Sequence, residues 1–258
     1  MSTSLHELPE PMPLMGVKLT PFADYAHAIK TVSFLLASED KVFSVAVNPE
    51  KIYRASHDRS LRELLNRAEI CLCDGVGAAL AVRVLHRKKI DRITGVALFF
   101  ELIRAAADNQ WRVYLLGASP DVNDAAAKQL QNDHPNLNIV GRQDGYFQGA
   151  AAVVDAINAS DAQLVFVAMG SPKQEIWIAE HRDQINAQFC MGVGGTFDVV
   201  CGKVSWAPEF FRRTGTEWLY RLLMEPKRWR RQLTLPKFVW LVMKYKMGLE
   251  KDRGAPLA

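Results

Sequence analysis

The sequence contains no uninterrupted apolar run near the roughly 20 residues that a membrane-spanning helix requires; the longest candidate, at 238–243, is short and flanked by Lys237 and Lys244. A soluble or peripheral protein is expected. The first dozen residues hold Pro9 and Pro11 and lack a basic stretch leading into an apolar run, so they do not read as a signal peptide. They are expected to form a flexible arm over 1–12. Cysteine is scarce: Cys71, Cys73, Cys190 and Cys201 are the four, and without a secretory signal they read as reduced core thiols. Cys71-x-Cys73 is not a zinc spacing and no histidine cluster completes it, so no metal is expected. Neither a Walker A sequence nor G-x-G-x-x-G is present, and Gly192-Val193-Gly194-Gly195 lacks the dinucleotide spacing. Kinase-like and NAD-dependent chemistry lose ground accordingly.

What the sequence does have is an uneven charge. The chain carries +4 overall, yet from Gly202 onward thirteen Lys or Arg stand against five Asp or Glu, an excess of eight that leaves −4 for the preceding body. Concentrated positive charge on one segment favours an anionic partner such as phosphate, nucleic acid or a bilayer surface. Half of the 258 residues are apolar, enough for one substantial core.

Apolar runs bounded by turn residues recur at 42–47, 70–73, 113–116, 137–140, 164–169 and 189–193, and read as buried strands. Between them, apolar spacings of three and four predict helices at 25–36, 61–68, 75–85, 97–107 and 122–130. This alternation predicts an α/β fold: a Rossmann-like, mostly parallel sheet with helices on both faces, over 13–201. Residues 202–258 are expected to form a basic helical appendage, with two or three short helices interrupted by Gly215, Pro226 and Pro236.

In such a sheet ligands bind beyond the carboxyl ends of the strands. Five strand ends carry small or polar residues: Asn48-Pro49-Glu50, Asp74-Gly75, Gly117-Ala118-Ser119-Pro120, Gly170-Ser171-Pro172-Lys173-Gln174-Glu175, and Gly194-Gly195-Thr196-Phe197-Asp198. Each alone is ordinary turn or cap chemistry. Together they suit a nucleotide crevice, because glycines let phosphates approach the backbone. Asp74 fits either a general base or a cap for the helix that follows it. Asn48 and Gln174 suit sugar hydroxyls, and Asp198 suits a ribose or uracil group or a helix cap.

The blocks Asp74-Gly75, Gln143-Asp144-Gly145-Tyr146-Phe147, Ala168 to Glu175, Gly192 to Asp198 and Glu217-Trp218-Leu219-Tyr220-Arg221-Leu222-Leu223 resemble the WecG/TagA/CpsF glycosyltransferase family. The resemblance runs from about Gly16 to Lys246. It implies an inverting, metal-independent transfer of a hexose derivative from a UDP-sugar to a polyprenyl-diphosphate-linked sugar, at the cytoplasmic membrane face. It places Asp74 on the family's base and Gln174 on its substrate-contacting glutamine. Arg221, Arg228 and Arg231 fall on the tail arginines that meet the lipid diphosphate, and Asn48 on the Thr-x-Asn element, where Ala46 replaces the threonine of many relatives. Gly117, Tyr146, Gly194, Gly195 and Asp198 complete the expected substrate-binding set. The wording is most similar to the UDP-N-acetylmannosaminuronic acid transferases of enterobacterial common antigen synthesis; UDP-N-acetylmannosamine or UDP-glucose is the alternative donor.

Two readings from other classes compete with it. Trp218, Tyr220, Trp229, Trp240 and Tyr245 interleave the basic tail in the manner of a nucleic-acid-binding module, and a sugar-binding regulator without catalysis would share the crevice. For Trp218 packing onto the body is the favoured expectation. Trp240 and Leu241, with their lysine neighbours, are expected at a bilayer surface, although apolar tail positions also suit pairing between copies of the chain.

Overall fold

The computed structural model describes residues 8–226 and 229–250. A short antiparallel hairpin, β1 (Met12–Leu14) and β2 (Val17–Leu19), opens the chain and is bridged to the main sheet where Thr20 pairs with Leu72. Leu8 packs against the core and Met12 already belongs to β1, so the described end of the expected arm touches the body.

The main sheet has six strands: β3 (Val42–Val47), β4 (Ile70–Cys73), β5 (Arg112–Gly117), β6 (Asn138–Gln143), β7 (Leu164–Ala168) and β8 (Phe189–Gly192). Their order is β4-β3-β8-β7-β5-β6, and every pairing is parallel. The α/β expectation therefore holds. The strands read as continuous apolar runs because both sheet faces are covered. Alternate residues go to opposite layers: Phe43, Val45, Cys71, Cys73, Leu116 and Val167 to one, and Val42, Ile70, Leu72, Leu115, Phe166 and Met191 to the other.

Several helices begin on residues whose side chains accept the free N–H groups of the first turn. Asp24 caps α1 (Tyr25–Leu36), Asn48 caps α2 (Pro49–His57), Asp58 caps α3 (Arg59–Asn66) and Thr94 caps α5 (Gly95–Asn109). The body is completed by α4 (Val76–His86), α6 (Pro120–Asp133), α7 (Ala151–Ala159), α8 (Lys173–His181) and the single turn α9 (Thr196–Val200). Helices α2, α7 and α8 were not anticipated; the residues that open α2 and α8 read as turn chemistry, and that same chemistry starts a helix.

Beyond Gly202 a non-helical stretch to Pro208 is followed by four described helices: α10 (Glu209–Thr214), α11 (Glu217–Met224), α12 (Trp229–Gln232) and α13 (Thr234–Lys246). Gly215 ends α10 with φ +72° as expected, but Pro236 does not interrupt anything. It sits in the first turn of α13, where a backbone N–H has no intrahelical acceptor to lose. The appendage is anchored by α13, which buries Phe238, Leu241 and Val242 in the layer that holds α2 and α4. Leu241 is thus a core residue rather than a bilayer contact, since its position on α13 faces the body. Among the described residues no helix is long and apolar enough to cross a membrane.

Candidate active site

Four strands adjacent in the sheet, β4, β3, β8 and β7, deliver their carboxyl ends to one edge. After β3, Asn48 is extended; its Oδ1 accepts from the Lys51 backbone N–H at 2.9 Å, so its side-chain oxygen serves α2. After β4, the Asp74 backbone N–H donates to the Val47 carbonyl at 3.0 Å. Gly75 then turns the chain into α4 at φ +107°, a conformation that side chains with a Cβ rarely adopt, and it lies against Pro49. The two turns are therefore packed together.

The cap of α4 is Gly75, and no side chain caps that helix. Asp74 is therefore not used as a cap, and among the described residues its carboxylate makes no hydrogen bond. Burial pushes its pKa above the ordinary carboxylate value; the Arg221 guanidinium opposes the rise, Glu217 adds to it, and Lys51 and Arg92 oppose it. One carboxylate thus faces three cations and one acid.

Arg221 and Glu217 come from α11, so the appendage brings charge to bear on this carboxylate. A polar and aromatic clamp holds it there. Arg92 pairs with Glu217 at 2.8 Å and also donates to the Arg212 carbonyl. Phe100 stacks on Trp206 at 4.6 Å, and the Arg212 guanidinium lies 4.2 Å over the other ring system of that stack, Trp206. At Gly215 an added Cβ would come within 3.0 Å of Val76, which shows how closely the α10–α11 turn approaches the start of α4.

On the other side of β3, the buried Gln174 accepts from the Gly194 N–H through Oε1 at 2.9 Å and donates through Nε2 to Glu175 at 3.2 Å. Its amide ties the loop after β7 to the loop after β8. Glu175 is fully buried and pairs with Lys51 Nζ at 2.7 Å; Lys51 also donates to the Ala46 carbonyl at 2.8 Å. Gly194 sits at φ +56°, Gly195 is exposed, and Asp198 is half-buried in the first turn of α9.

The remaining expected residues lie further off. Gly117 must be glycine, because at φ +108° a Cβ would lie 2.5 Å from the Ala168 carbonyl oxygen. Tyr146 is highly exposed, its N–H held by Asp144 Oδ1 at 2.8 Å. They follow β5 and β6, four and five strands from β4, about 19 and 24 Å at ordinary strand spacing. The expected residues are thus spread along the carboxyl ends of the whole sheet. Arg228 lies outside the described residues, and Arg231 is on α12. Arg221 and Arg231 do not share one continuous helix, because α11 ends at Met224.

A family model described as Glycosyl transferase WecG/TagA/CpsF family matches residues 12–252. This chain belongs to that family. It is similar to the N-acetylglucosaminyldiphosphoundecaprenol N-acetyl-beta-D-mannosaminyltransferase of Bacillus spizizenii (strain W23), 37% identical over 209 residues, 81% of each chain. It is also similar to the protein of the same name from Bacillus subtilis (strain 168), 34% identical over 237 residues, 90% of this chain and 89% of that one. The protein is a glycosyltransferase. The enzyme reading therefore stands over the binding-module alternatives.

For this glycosyltransferase, sequence reasoning missed Lys51, Arg92 and Trp206, and assigned no role to Glu175 or Glu217. Lys51 carries a faint signal, since it lies three residues past the cap Asn48 and so returns over the strand end. The others become visible only when distant segments meet. All four cysteines are free; Cys71, Cys73 and Cys190 are buried, which pushes each thiol up to about 12. Among the described residues no cluster of three His, Cys, Asp or Glu side chains is placed to hold a metal. Trp218 is 41% exposed, against the packing expectation, because α11 buries no residue.

Proposed function

We propose that this glycosyltransferase moves an N-acetylmannosamine-type sugar, in the first instance its uronic acid, from a UDP donor to a polyprenyl-diphosphate-linked N-acetylglucosamine in bacterial surface polysaccharide synthesis. Both Bacillus relatives are named for N-acetylmannosaminyl transfer to N-acetylglucosaminyldiphosphoundecaprenol, which supports the acceptor class and the mannosamine configuration. The wording around Gln174 and Asp198 favours the uronic acid form.

The observation that carries the mechanism is the buried Asp74 carboxylate, free of any cap and held in the field of Arg221. In one displacement the acceptor hydroxyl oxygen bonds to the anomeric carbon, its proton passes to Asp74, and the bond from that carbon to UDP breaks with inversion. Arg221, with Arg228 and Arg231 from the same appendage, meets diphosphate charge, and glycine-bearing strand ends admit the donor phosphates. No metal is required in this scheme. The appendage also presents Val239, Trp240, Met243 and Met247, all exposed, beside Lys244 and Lys246; these suit a peripheral site on the anionic inner face of the cytoplasmic membrane.

The test is UDP release with UDP-N-acetylmannosaminuronic acid, UDP-N-acetylmannosamine and UDP-glucose, each with a short-chain polyprenyl-diphosphate N-acetylglucosamine and with chelator present. Release with the first donor is expected to exceed the other two. Release only without chelator removes the metal-free scheme, and release with none removes the transferase assignment of this site. Asp74→Asn is expected to lower turnover by roughly a hundredfold or more.

A further inference from the structure

The mechanism above leaves one buried charged group without a task. Glu175 is wholly buried, its Oε1 is shared by Lys51 Nζ at 2.7 Å and Gln174 Nε2 at 3.2 Å, and its Oε2 has no hydrogen-bond partner among the described residues. A buried ion pair is weak evidence for stability, because removing two charges from water costs about as much as their attraction returns. A half-satisfied one is poorer still. A pair of apolar residues would fill the same space more favourably, so the pair calls for a reason other than packing.

Its position supplies one. Lys51 is tied by its own backbone N–H to Asn48 Oδ1, and its ammonium caps the Ala46 carbonyl at 2.8 Å, at the carboxyl end of β3. In the sheet Ala46 pairs with Leu72 and Val47 with Cys73, so the ammonium stands beside the strand whose next residue is Asp74. The pair's other half opens α8, next to the amide that fixes Gly194. Lys51 therefore touches the strand ends after β3 and β7, and it connects to the loop after β8 only through Glu175 and Gln174.

We propose that Lys51 is a positioning residue for the transfer reaction: Glu175 holds its ammonium at the β3 end, where it keeps the Asp74 side of the crevice cationic and locks the β3 and β7 ends in register. This rests on the assignment of Asp74 as the base. The charged groups facing Asp74 are Arg221 and Glu217 from α11, Arg92 from the segment before α5, and Lys51 from α2. Of these, Lys51 alone comes with a buried counter-ion from within the sheet edge; Arg92 shares its acid, Glu217, with the appendage. Glu175 belongs to α8, after β7, whereas the Lys51 ammonium caps the end of β3, the strand paired with the one that leads to Asp74, so of the two charges it is the cation that the sheet places beside that carboxylate.

The test uses the full chain and three variants. Lys51→Met leaves Glu175 buried without its partner and is expected to lower thermal stability. The double variant Lys51→Met/Glu175→Gln removes both charges and is expected to recover that stability. Despite this recovery, its kcat/KM is expected to stay roughly tenfold or more below the parent at neutral pH. The acidic limb of its pH profile is expected to move to higher pH, since a cation that favours ionised Asp74 is gone. Asp74→Asn runs alongside. If Asp74→Asn is fully active, the base assignment fails, and this inference with it. If Asp74→Asn is inactive while the stable double variant keeps the parental kcat/KM and pH profile, the Lys51 inference alone is overturned and the pair is structural. If the double variant loses activity with the limb unmoved, the charge role is overturned.

Discussion

The body and the appendage of this glycosyltransferase are held by different physics. The body closes around two apolar layers on either side of a parallel sheet, and its strands are buried along their length. Helices α10 and α11 bury no residue; they are seated by the Arg92–Glu217 pair, the Phe100–Trp206–Arg212 stack and the close approach of Gly215 to Val76. Among the described helices of the appendage, α13 alone places residues in either of the two apolar layers. Apolar burial is non-directional and makes a rigid platform, whereas pairs and stacks fix geometry at little cost to reversibility. The carboxylate proposed as base belongs to the first region, and the arginine that acts on it most strongly belongs to the second.

Removing everything from Pro208 onward is the most drastic way to break this division. Turnover on a lipid-linked acceptor is expected to fall by roughly a thousandfold, through lost positioning and lost diphosphate contacts. Full activity in that truncation would show that the appendage is not part of the site. Phe238→Ala attacks the one place where the appendage shares the core, and is expected to cost about 3–5 kcal/mol of stability in denaturant titrations. Arg221→Gln should leave stability near the parental value while lowering kcat/KM roughly tenfold. Its acidic pH limb should move upward, since the largest influence opposing the rise in the Asp74 pKa is removed.

A smaller effect sharpens the same contrast. A carboxyl whose pKa is raised on folding stabilises the fold only while protonated, and that stability is lost as pH rises through the folded value. Asp74→Asn is therefore expected to raise the melting temperature at neutral pH, with the gain shrinking as the pH falls and Asp74 takes up its proton. A lower melting temperature would return Asp74 to a structural role. Trp240→Ser, at a 58% exposed position, should change stability by less than about 0.5 kcal/mol yet weaken binding to anionic vesicles.

The sequence was most legible where one local pattern decides the outcome. Strands β3 and β4 and helix α1 fall on the expected residues because continuous apolar runs and three-four spacings leave no competing state. It was less legible where the same residues serve two local structures, as at Asn48-Pro49, which starts α2, and at Pro236, which lies harmlessly within α13. The strand-end residues could be picked out as candidates by their chemistry. What holds them could not: Lys51 and Glu175 are 124 residues apart, and Arg92 and Glu217 are 125 apart, so no spacing rule joins them.

The strand order has a consequence for how the molecule is made. β8 is the last strand in sequence but sits in the middle, between β3 and β7, and nothing else joins the β3–β4 pair to the β5–β6–β7 group within the sheet. As the chain leaves the ribosome, these two groups of strands have no partner to join them within the sheet until residues 189–192 emerge. The continuous row of strand ends cannot exist before that moment, and the segment that brings Arg221 follows directly behind. A nascent chain stalled short of Phe189 has Asp74 and Gln174 in hand but no common edge on which to set them.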